Sequence, residues 1–267
     1  MSVLLQISDT HFGTERPEVV AALLDLVQAQ QPDAVVLSGD ITQRATVAQF
    51  ARARAFVDRL GTRPVLAIPG NHDLPLFNLL ERFVWPYRRY RQAFGDELEP
   101  ELSLPHWLVL GVNTTRAYRH VDGEVSLAQI ERVAQRLRQA RTGQIRVVVV
   151  HQPAAVARQE DAHNLLHGRE AALEQWARAG AHIVMGGHIH LPYVLAWQGR
   201  GAGLWVVQAG TAVSSRTRHE AGNSVNLLRR DPGGVCVLER WDCRAGAFVC
   251  VERRGLSAQA LSGASST

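Results

Sequence analysis

The sequence contains no lysine, so all 29 of its basic side chains are arginine. These arginines are spread along helical segments, such as those around residues 52–59 and 132–138, and the formal net charge is only +4. A basic groove for nucleic acid would need clustered positive charge on one face. We therefore expect a small-molecule substrate and no nucleic-acid partner.

Cysteine is also scarce. The three cysteines, Cys236, Cys243 and Cys250, lie seven residues apart near the C-terminus and form no C-x-x-C pair. An odd number without that pair argues against a disulfide framework and a thiolate metal site, and it is typical of a reducing compartment. We interpret the cysteines as small apolar residues of strands.

Long apolar runs are absent as well. No stretch reaches the roughly 18 to 20 apolar residues that a membrane-spanning helix needs. No secretory signal is visible, and the first candidate functional residue, Asp9, lies too close to Met1 to survive removal of a leader. These features predict a cytoplasmic protein without a membrane span.

What the chain does contain is an alternation of short β-branched runs with segments of helical period, which predicts an α/β fold. Ser126 and Gln129 form the capping-box pattern of a helix start, and Pro17 suits the first turn of another helix. The predicted helices are 17–28, 126–141 and 170–179. The predicted strands are 3–7, 34–37, 65–68, 108–112, 147–150 and 183–185.

After His190 the sequence becomes rich in glycine and short strand patterns, which predicts a second sheet from this part of the chain. Its predicted strands are 204–208, 225–229, 235–240 and 248–252. We expect one domain over residues 1–256 and a disordered tail of small polar residues over 257–267.

Five of the predicted strands are followed, within three residues, by aspartate, histidine or asparagine. The carboxyl ends of strands in an open α/β sheet meet at one edge, so these side chains should converge. Glycines within the same segments, Gly39, Gly70, Gly186 and Gly187, would allow sharp turns and a close approach of the backbone. The convergent residues are Asp9 and His11, Asp40, Asn71, His151, and His188 with His190.

Imidazole, carboxylate and amide ligands without thiolate favour manganese, iron or zinc over calcium or copper(I). One ion does not need seven ligands. Two ions about 3.5 to 4 Å apart, sharing one carboxylate, would use them all and could clamp both reacting oxygens of a phosphoryl group. We therefore predict two divalent or mixed-valence metal ions as cofactors.

The blocks Asp9-x-His11, Gly39-Asp40, Gly70-Asn71-His72-Asp73, His151 and Gly187-His188-x-His190 resemble the signature of the calcineurin-like metallophosphoesterase superfamily. The resemblance spans residues 9 to 190. It implies a four-layer αββα sandwich, the metallo-dependent phosphatase fold, in which helices flank two mixed β-sheets.

The resemblance also implies roles for these residues. Asp9, His11, Asp40 and His190 would hold one metal, and Asp40, Asn71, His151 and His188 the other, with Asp40 bridging. A hydroxide between the metals would attack phosphorus. His72 would stabilise or protonate the leaving oxygen, and Asp73 would orient either the His72 imidazole or a metal ligand.

Departures from the superfamily pattern narrow the range of candidate substrates. Residues 39–45 lack the Gly-Asp-x-x-Asp-Arg-Gly pattern of protein phosphatases, and Gln43 stands where purple acid phosphatases have a tyrosine ligand. The chain resembles the bacterial class III cyclic-nucleotide phosphodiesterase-like branch, which implies hydrolysis of 3′,5′-cyclic nucleotides or other small phosphodiesters. Gln152 follows His151 where many relatives have a second histidine, and we interpret His151 as the ligand.

Polar residues outside these blocks are candidates for binding substrate, because guanidinium groups pair well with phosphate oxygens. Solvated loop arginines are the alternative interpretation. The candidates are Asn113, Arg116, Arg216 and Arg218, with Arg119 and Asn226 as further possibilities. His163 and His167 are interpreted as surface histidines and are left out of the site.

Several alternatives stay open at this point. The substrate could be a glycerophosphodiester, or a nucleotide-linked lipid precursor cleaved at its pyrophosphate, for which Leu74–Tyr90 would form an apolar cap unless it is a buried helix pair. A nuclease is a further alternative. Outside enzymes, the alternative is an inactive scaffold protein of the same fold. Whether the chain forms a homodimer also stays open.

Overall fold

Two six-stranded β-sheets form the centre of the computed structural model, which describes residues 2–61, 63–218 and 221–257. The first sheet has the order β12-β11-β10-β1-β2-β3, in which β1 to β3 are parallel and the other three strands are antiparallel. Its strands are β1 (Ser2–Ile7), β2 (Ala34–Leu37), β3 (Val65–Ala67), β10 (Ser224–Arg230), β11 (Cys236–Arg244) and β12 (Ala247–Gly255).

The second sheet has the order β4-β5-β6-β7-β9-β8, with four parallel central strands and an antiparallel strand at each edge. Its strands are β4 (Glu101–Ser103), β5 (Trp107–Gly111), β6 (Ile145–Val149), β7 (Ile183–Gly186), β8 (Tyr193–Gln198) and β9 (Gly203–Gln208).

The two sheets pack face to face through a buried apolar layer to which Leu4 and Val36 contribute from one sheet and Trp107 and Val147 from the other. Helices cover both outer faces. The predicted four-layer sandwich is therefore confirmed. The helices are α1 (Pro17–Gln30), α2 (Val47–Arg59), α3 (Leu79–Val84), α4 (Arg88–Phe94), α5 (Leu127–Arg138) and α6 (Arg169–Arg178).

Local signals account for the helix starts. Ser126 and Gln129 form the predicted capping box at the start of α5, and Thr46 with Gln49 forms another at α2. Pro17 occupies the first turn of α1, where its missing N–H leaves no hydrogen bond unmade.

The prediction of a separate C-terminal sheet was wrong. Strands β8 and β9 join the second sheet, and β10 to β12 extend the first sheet beside β1. Strand patterns record which residues are extended and buried, but they do not record which neighbour a strand pairs with.

The cysteines lie in β11 and β12 without disulfides, as interpreted from the sequence. Among the described helices, none is long and apolar enough to cross a membrane. The single domain over residues 1–256 stays a prediction, and the predicted disordered tail lies, from residue 258 onward, outside the described residues.

Candidate metal centre

The predicted ligands converge where the two sheets meet at the carboxyl ends of their parallel strands. The segments after β1, β2 and β3 supply one half of the group, and those after β6 and β7 supply the other half. Backbone hydrogen bonds align the loops: the Asp9 N–H donates to the Gly39 carbonyl at 3.1 Å, and the His11 N–H donates to the Asp40 carbonyl at 3.0 Å.

Asp9, His11 and His190 form the first buried cluster, with ligand atoms within 4.8 Å of one another. The Nε2 atoms of His11 and His190 face each other at 2.9 Å. His190 Nε2 lies 3.4 Å from Asp9 Oδ1. Two imidazole nitrogens and a carboxylate thus point at one small volume.

Asp40, His151 and His188 form the second cluster. His151 Nε2 lies 3.2 Å from Asp40 Oδ1. His188 Nδ1 lies 3.0 Å from the Asn71 side-chain oxygen, which brings the predicted amide ligand to the same place.

Asp40 connects the two clusters. Its Oδ1 faces His151 at 3.2 Å, whereas its Oδ2 lies 3.7 Å from His11 Nε2 in the other cluster. The carboxylate is 1% exposed, so solvent does not compete for these contacts. This is the geometry that a bridging carboxylate requires.

Most of the predicted ligands hold unusual backbone conformations. A positive φ is rare in residues other than glycine, and strain of this kind concentrates at functional sites. Five of the seven adopt it: Asp9 at 51°, His11 at 43°, Asp40 at 49°, His188 at 75° and His190 at 56°.

The clusters leave no space for a Cβ atom at Gly39 or Gly187. Gly39 has a φ of 96°, and a Cβ there would lie 2.3 Å from His151 Nδ1. A Cβ at Gly187 would lie 2.4 Å from Asp9 Oδ2. Side chains at these positions would displace candidate ligands.

Burial and neighbouring charges set the protonation of the clusters. Burial lowers the pKa of His11 to about 3 and that of His188 to about 4, so both imidazoles are neutral at pH 7. Burial also raises the pKa of Asp40, but His151 and His72 outweigh it and hold that pKa well below its usual value. Neutral imidazoles and ionised carboxylates are the forms that bind cations.

The arrangement fits metal ions by its unpaired ligand atoms. His151 donates from Nδ1 to the Ser38 carbonyl at 2.9 Å, which directs the buried Nε2 at Asp40; Nε2 makes no hydrogen bond among the described residues. Burial lowers the pKa of His151, but the Asp40 carboxylate outweighs burial and raises that pKa to about 9, so a cation bound at Nε2 would replace a proton. His190 Nδ1 is held in the same way, 2.5 Å from the Arg216 carbonyl. Such backbone contacts orient imidazole ligands in metal sites.

His72 lies beside the centre and makes two contacts that the sequence did not predict. Its ligand atoms group with those of His11 and Asp40 within 4.8 Å. His72 Nδ1 lies 2.8 Å from the Gln43 carbonyl, and the Arg216 guanidinium lies 3.2 Å from His72 Nε2. Arg216 also donates to Gln43 Oε1 at 2.9 Å, so its guanidinium is held at the edge of the centre.

Among the described residues, the Asp73 carboxylate has no hydrogen bond with the His72 imidazole, which does not support that option of the prediction. Its buried carboxylate accepts hydrogen bonds from the backbone N–H groups of Ile41 at 3.0 Å, Thr42 at 2.7 Å and Gly70 at 2.9 Å. These contacts fix the loop that follows Asp40. The geometry therefore fits the other option, in which Asp73 positions a ligand.

Two of the residues predicted to bind substrate form hydrogen bonds with nearby protein groups instead. Asn113 accepts hydrogen bonds from Thr115, and the Arg116 guanidinium donates to the carbonyls of Asn113 and Thr115 and to Gln129. Within the described residues neither side chain contacts the predicted ligands. Local loop contacts occupy these polar groups, and the binding of substrate by Asn113 and Arg116 stays a prediction.

The remaining candidates also have hydrogen-bond or ion-pair partners. Arg218 pairs with the buried Asp161 at 2.6 Å, and Arg119 pairs with Glu124 at 3.0 Å. Asn226 is buried between Gln6 and Gln208. Arg218 also donates to the Ile189 carbonyl, between His188 and His190, at 3.4 Å. Among the described residues, Arg216 is thus the candidate outside the motif blocks whose side chain approaches a side chain of the centre, that of His72.

Sequence reasoning missed Gln43 and Ser38, whose carbonyls hold His72 and His151. A backbone carbonyl leaves no trace in side-chain identity, so no sequence signal could have found Ser38. Gln152, which departs from the superfamily pattern, turns away from the centre and accepts a hydrogen bond from Thr114 at 2.6 Å. His167 lies near Asp122 and His163 near the Glu160 carbonyl, as surface histidines do.

The chain is also similar in sequence to a known protein family. The sequence profile of the family described as calcineurin-like phosphoesterase matches residues 2–192, which is most of the chain. The chain belongs to the calcineurin-like phosphoesterase family. This phosphoesterase is therefore a metal-dependent phosphoric ester hydrolase, in a family whose members use a dinuclear metal centre.

Two relatives are similar in sequence. A probable cyclic nucleotide phosphodiesterase of Synechococcus sp. is 26% identical over 211 residues, covering 74% of the phosphoesterase and 76% of the relative. The glycerophosphodiester phosphodiesterase GpdQ of Enterobacter lignolyticus is 38% identical over 82 residues, covering 27% and 29% of the two chains.

Solved structures share the fold. A purple acid phosphatase from yellow lupin seeds superposes with a TM-score of 0.73 at 14% identity, covering 95% of the phosphoesterase and 53% of that chain. A dimetal phosphatase from Danio rerio superposes with a TM-score of 0.68 at 14% identity, covering 96% and 99%. At this identity the likeness shows the fold alone.

Proposed function

We propose that the phosphoesterase hydrolyses phosphodiesters with two metal ions, and that 3′,5′-cyclic nucleotides are its leading substrate class. The proposal of two metal ions rests on Asp40, whose two carboxylate oxygens face histidines of different clusters. Asp9, His11, Asp40 and His190 would hold one ion. Asp40, Asn71, His151 and His188 would hold the other.

The donor set of imidazole, carboxylate and amide supports manganese, iron or zinc. When bound, two such ions neutralise phosphate charge and lower the pKa of a water molecule enough to supply a nucleophile near neutral pH. Burial of Asp9, His11 and His151 excludes bulk water from the ligand side of the centre. The neutral state of His11 and His188 leaves their lone pairs available.

His72 and Arg216 are the residues that face a substrate in this proposal. Arg216 would donate to a non-bridging phosphate oxygen, because guanidinium donors suit phosphate geometry. His72, oriented by the Gln43 carbonyl, would stabilise or protonate the leaving oxygen. A single guanidinium at the centre suits the single negative charge of a phosphodiester.

The substrate class rests on the match to the relative named as a probable cyclic nucleotide phosphodiesterase, which covers 74% of the chain. Glycerophosphodiesters are the second candidate, supported by the shorter match to GpdQ. A nucleotide-linked lipid precursor is supported only by exposed apolar residues near Trp85. An inactive scaffold would not need to retain every predicted ligand in one buried cluster.

A substrate panel tests the proposal. Protein loaded with manganese is compared on cyclic AMP, glycerophosphocholine, bis(p-nitrophenyl) phosphate and p-nitrophenyl phosphate. We expect the diesters to be cleaved with higher kcat/KM than the monoester, and cyclic AMP to exceed glycerophosphocholine. Preference for the monoester would overturn the diester assignment, and preference for glycerophosphocholine would move the substrate to the second candidate.

A further inference from the structure

The segment that follows the Asn71–Asp73 turn exposes an unusual number of large apolar side chains. We name the exposed set the apolar rim. Monomeric proteins expose scattered apolar residues, but a continuous group of this kind marks an interaction surface. The rim consists of Phe77 (74% exposed), Leu79 (63%), Leu80 (71%), Phe83 (61%), Val84 (49%) and Trp85 (57%).

Helix α3 is inverted relative to an ordinary surface helix. Its charged residues face inward, since Arg82 donates to the carbonyls of Pro75, Ala117 and Arg119 at 3.1, 2.8 and 2.6 Å. Glu81 is also buried and pairs with Arg89. The helix is thus fixed in place by polar anchors while its apolar side chains point to solvent, so the exposure is built into the fold.

Positive charge surrounds the rim. The Arg44 guanidinium lies 5.1 Å from the centre of the Phe77 ring, and the exposed Arg88 and Arg91 border a cavity of about 490 Å³ beside Trp85. Over the described ranges none of these three arginines forms an ion pair with a carboxylate, although Asp96 borders the same cavity. Several exposed arginines elsewhere do form such pairs, as Arg54 does with Asp58.

From this combination we infer that the apolar rim docks on the surface of an anionic membrane. Aromatic and aliphatic side chains enter the boundary between headgroups and acyl chains, and arginines beside them pair with anionic lipid phosphates. A second copy of the chain fits less well. A twofold contact would bring the same arginines together, and among the described residues that line the cavity Asp96 is the one carboxylate to pair with them.

Vesicle binding by the full chain tests this inference. Sedimentation with vesicles of phosphatidylcholine alone is compared with an equal mixture of phosphatidylcholine and phosphatidylglycerol. We expect binding to the mixed vesicles, and a loss of at least about tenfold in the double variant Phe83→Ser, Trp85→Ser. The matched control is Leu127→Ser, which removes a 78% exposed leucine from the start of α5 and should bind normally.

The charge component has its own variants. Arg44→Gln combined with Arg88→Gln should weaken binding to mixed vesicles, by about fivefold per arginine at low salt. Arg138→Gln, which removes a paired surface arginine, is the control. Circular dichroism and turnover of a soluble diester by the Phe83→Ser, Trp85→Ser variant show whether the fold and the centre are intact.

Two outcomes would overturn the inference. One is absence of vesicle binding by the unmodified protein, or binding that the rim variants and Leu127→Ser change equally. The other is a concentration-dependent dimer, measured by analytical ultracentrifugation, that the rim variants abolish while vesicle binding is absent. That result would assign the rim to a second copy of the chain.

Discussion

At the scale of single residues, the centre accumulates features that folding alone disfavours. Five predicted ligands have positive φ, at a cost of about 1 to 3 kcal/mol each. Asp9 and Asp40 are buried carboxylates that lie 3.4 Å from the His190 imidazole and 3.2 Å from the His151 imidazole, respectively. Bound cations would offset these costs, because they interact with the same carboxylates and imidazoles in a site from which water is excluded.

Asp40 is the residue on which the dinuclear geometry depends. Asp40→Ala should lower metal content and reduce metal-dependent diester hydrolysis by more than about 10³-fold, since both clusters lose a ligand. Metal analysis after gel filtration and kcat/KM provide the measurements. Asp58→Ala on the exposed face of α2 is the control, and a fully active Asp40→Ala protein would contradict the bridging role.

His72 should affect turnover without holding a metal. His72→Ala is expected to lower kcat by about 10² to 10⁴-fold, the contribution of a positioned acid or base. Both metals should remain, because the seven predicted ligands are unchanged. Loss of one metal equivalent in this variant would instead make His72 a ligand, in keeping with its position beside His11 and Asp40.

At the scale of elements, the 3-10 turn Asn71–Asp73 is tied to the loop after β2 by Asp73. The substitution Asp73→Asn places an amide N–H2 where at least one backbone N–H now donates. We expect a loss of about 1 to 3 kcal/mol in the free energy of unfolding of metal-free protein. Metal affinity should also fall by about 10- to 100-fold.

Urea unfolding and metal titration measure these two effects. Asp25→Asn on the exposed face of α1 is the matched control and should change neither quantity. If Asp73→Asn were as stable as the unmodified protein and bound metal equally well, Asp73 would not position the loop.

The elements that carry ligands could be predicted from sequence because each is a short buried strand ending in a polar block. Apolar runs reveal β1, β2 and β6, and the ends of parallel strands meet by geometry. Pairing partners leave no comparable signal, so β10 to β12 were assigned to the wrong sheet. The edge strands β4 and β8 were not predicted, and their side chains are exposed or half-buried rather than part of the buried core.

The Leu74–Tyr90 segment shows a related limit. Its apolar composition fitted either a cap or a buried helix pair, and the exposure of Phe77 and Trp85 contradicts the buried pair. Likewise, an arginine in a loop has the same sequence pattern whether it faces a substrate or a carbonyl. Arg216 reaches the centre, whereas Arg116 is held by its own loop, and only tertiary contacts distinguish them.

At the scale of the whole molecule, the centre spans the contact between the two sheets. Asp9, Asp40 and Asn71 follow strands of the first sheet, whereas His151 and His188 follow strands of the second. Ions bound there would link the two halves of the sandwich. Their binding free energy would then add to the stability of the whole fold, by about 4 kcal/mol when free metal is 1,000 times its Kd.

The opposite end of the sandwich should respond to pH. His182 Nδ1 accepts a hydrogen bond from the Arg146 backbone N–H at the start of β6, and the Arg146 guanidinium lies 3.2 Å from His182 Nε2. Burial, followed by the Arg146 charge, lowers the pKa of His182 from 6.5 to about 4. The unfolded chain therefore binds the proton more tightly. This contribution to stability is complete above pH 6.5 and is lost as the pH falls toward 4.

His182→Gln removes the titration. Between pH 7 and pH 4, metal-free unmodified protein should lose about 2 kcal/mol more stability than the variant. Urea unfolding at several pH values gives this difference. Parallel pH profiles for the two proteins would show that His182 is not held neutral by its contacts.

The most direct test of the dinuclear assignment is hydrolysis of bis(p-nitrophenyl) phosphate by chelator-stripped protein during stepwise addition of manganese, with bound metal counted in the same samples. We expect no activity without metal, activity that rises with manganese, and saturation at two bound ions per chain. Full activity at one ion per chain, or hydrolysis that persists after complete metal removal, would contradict it.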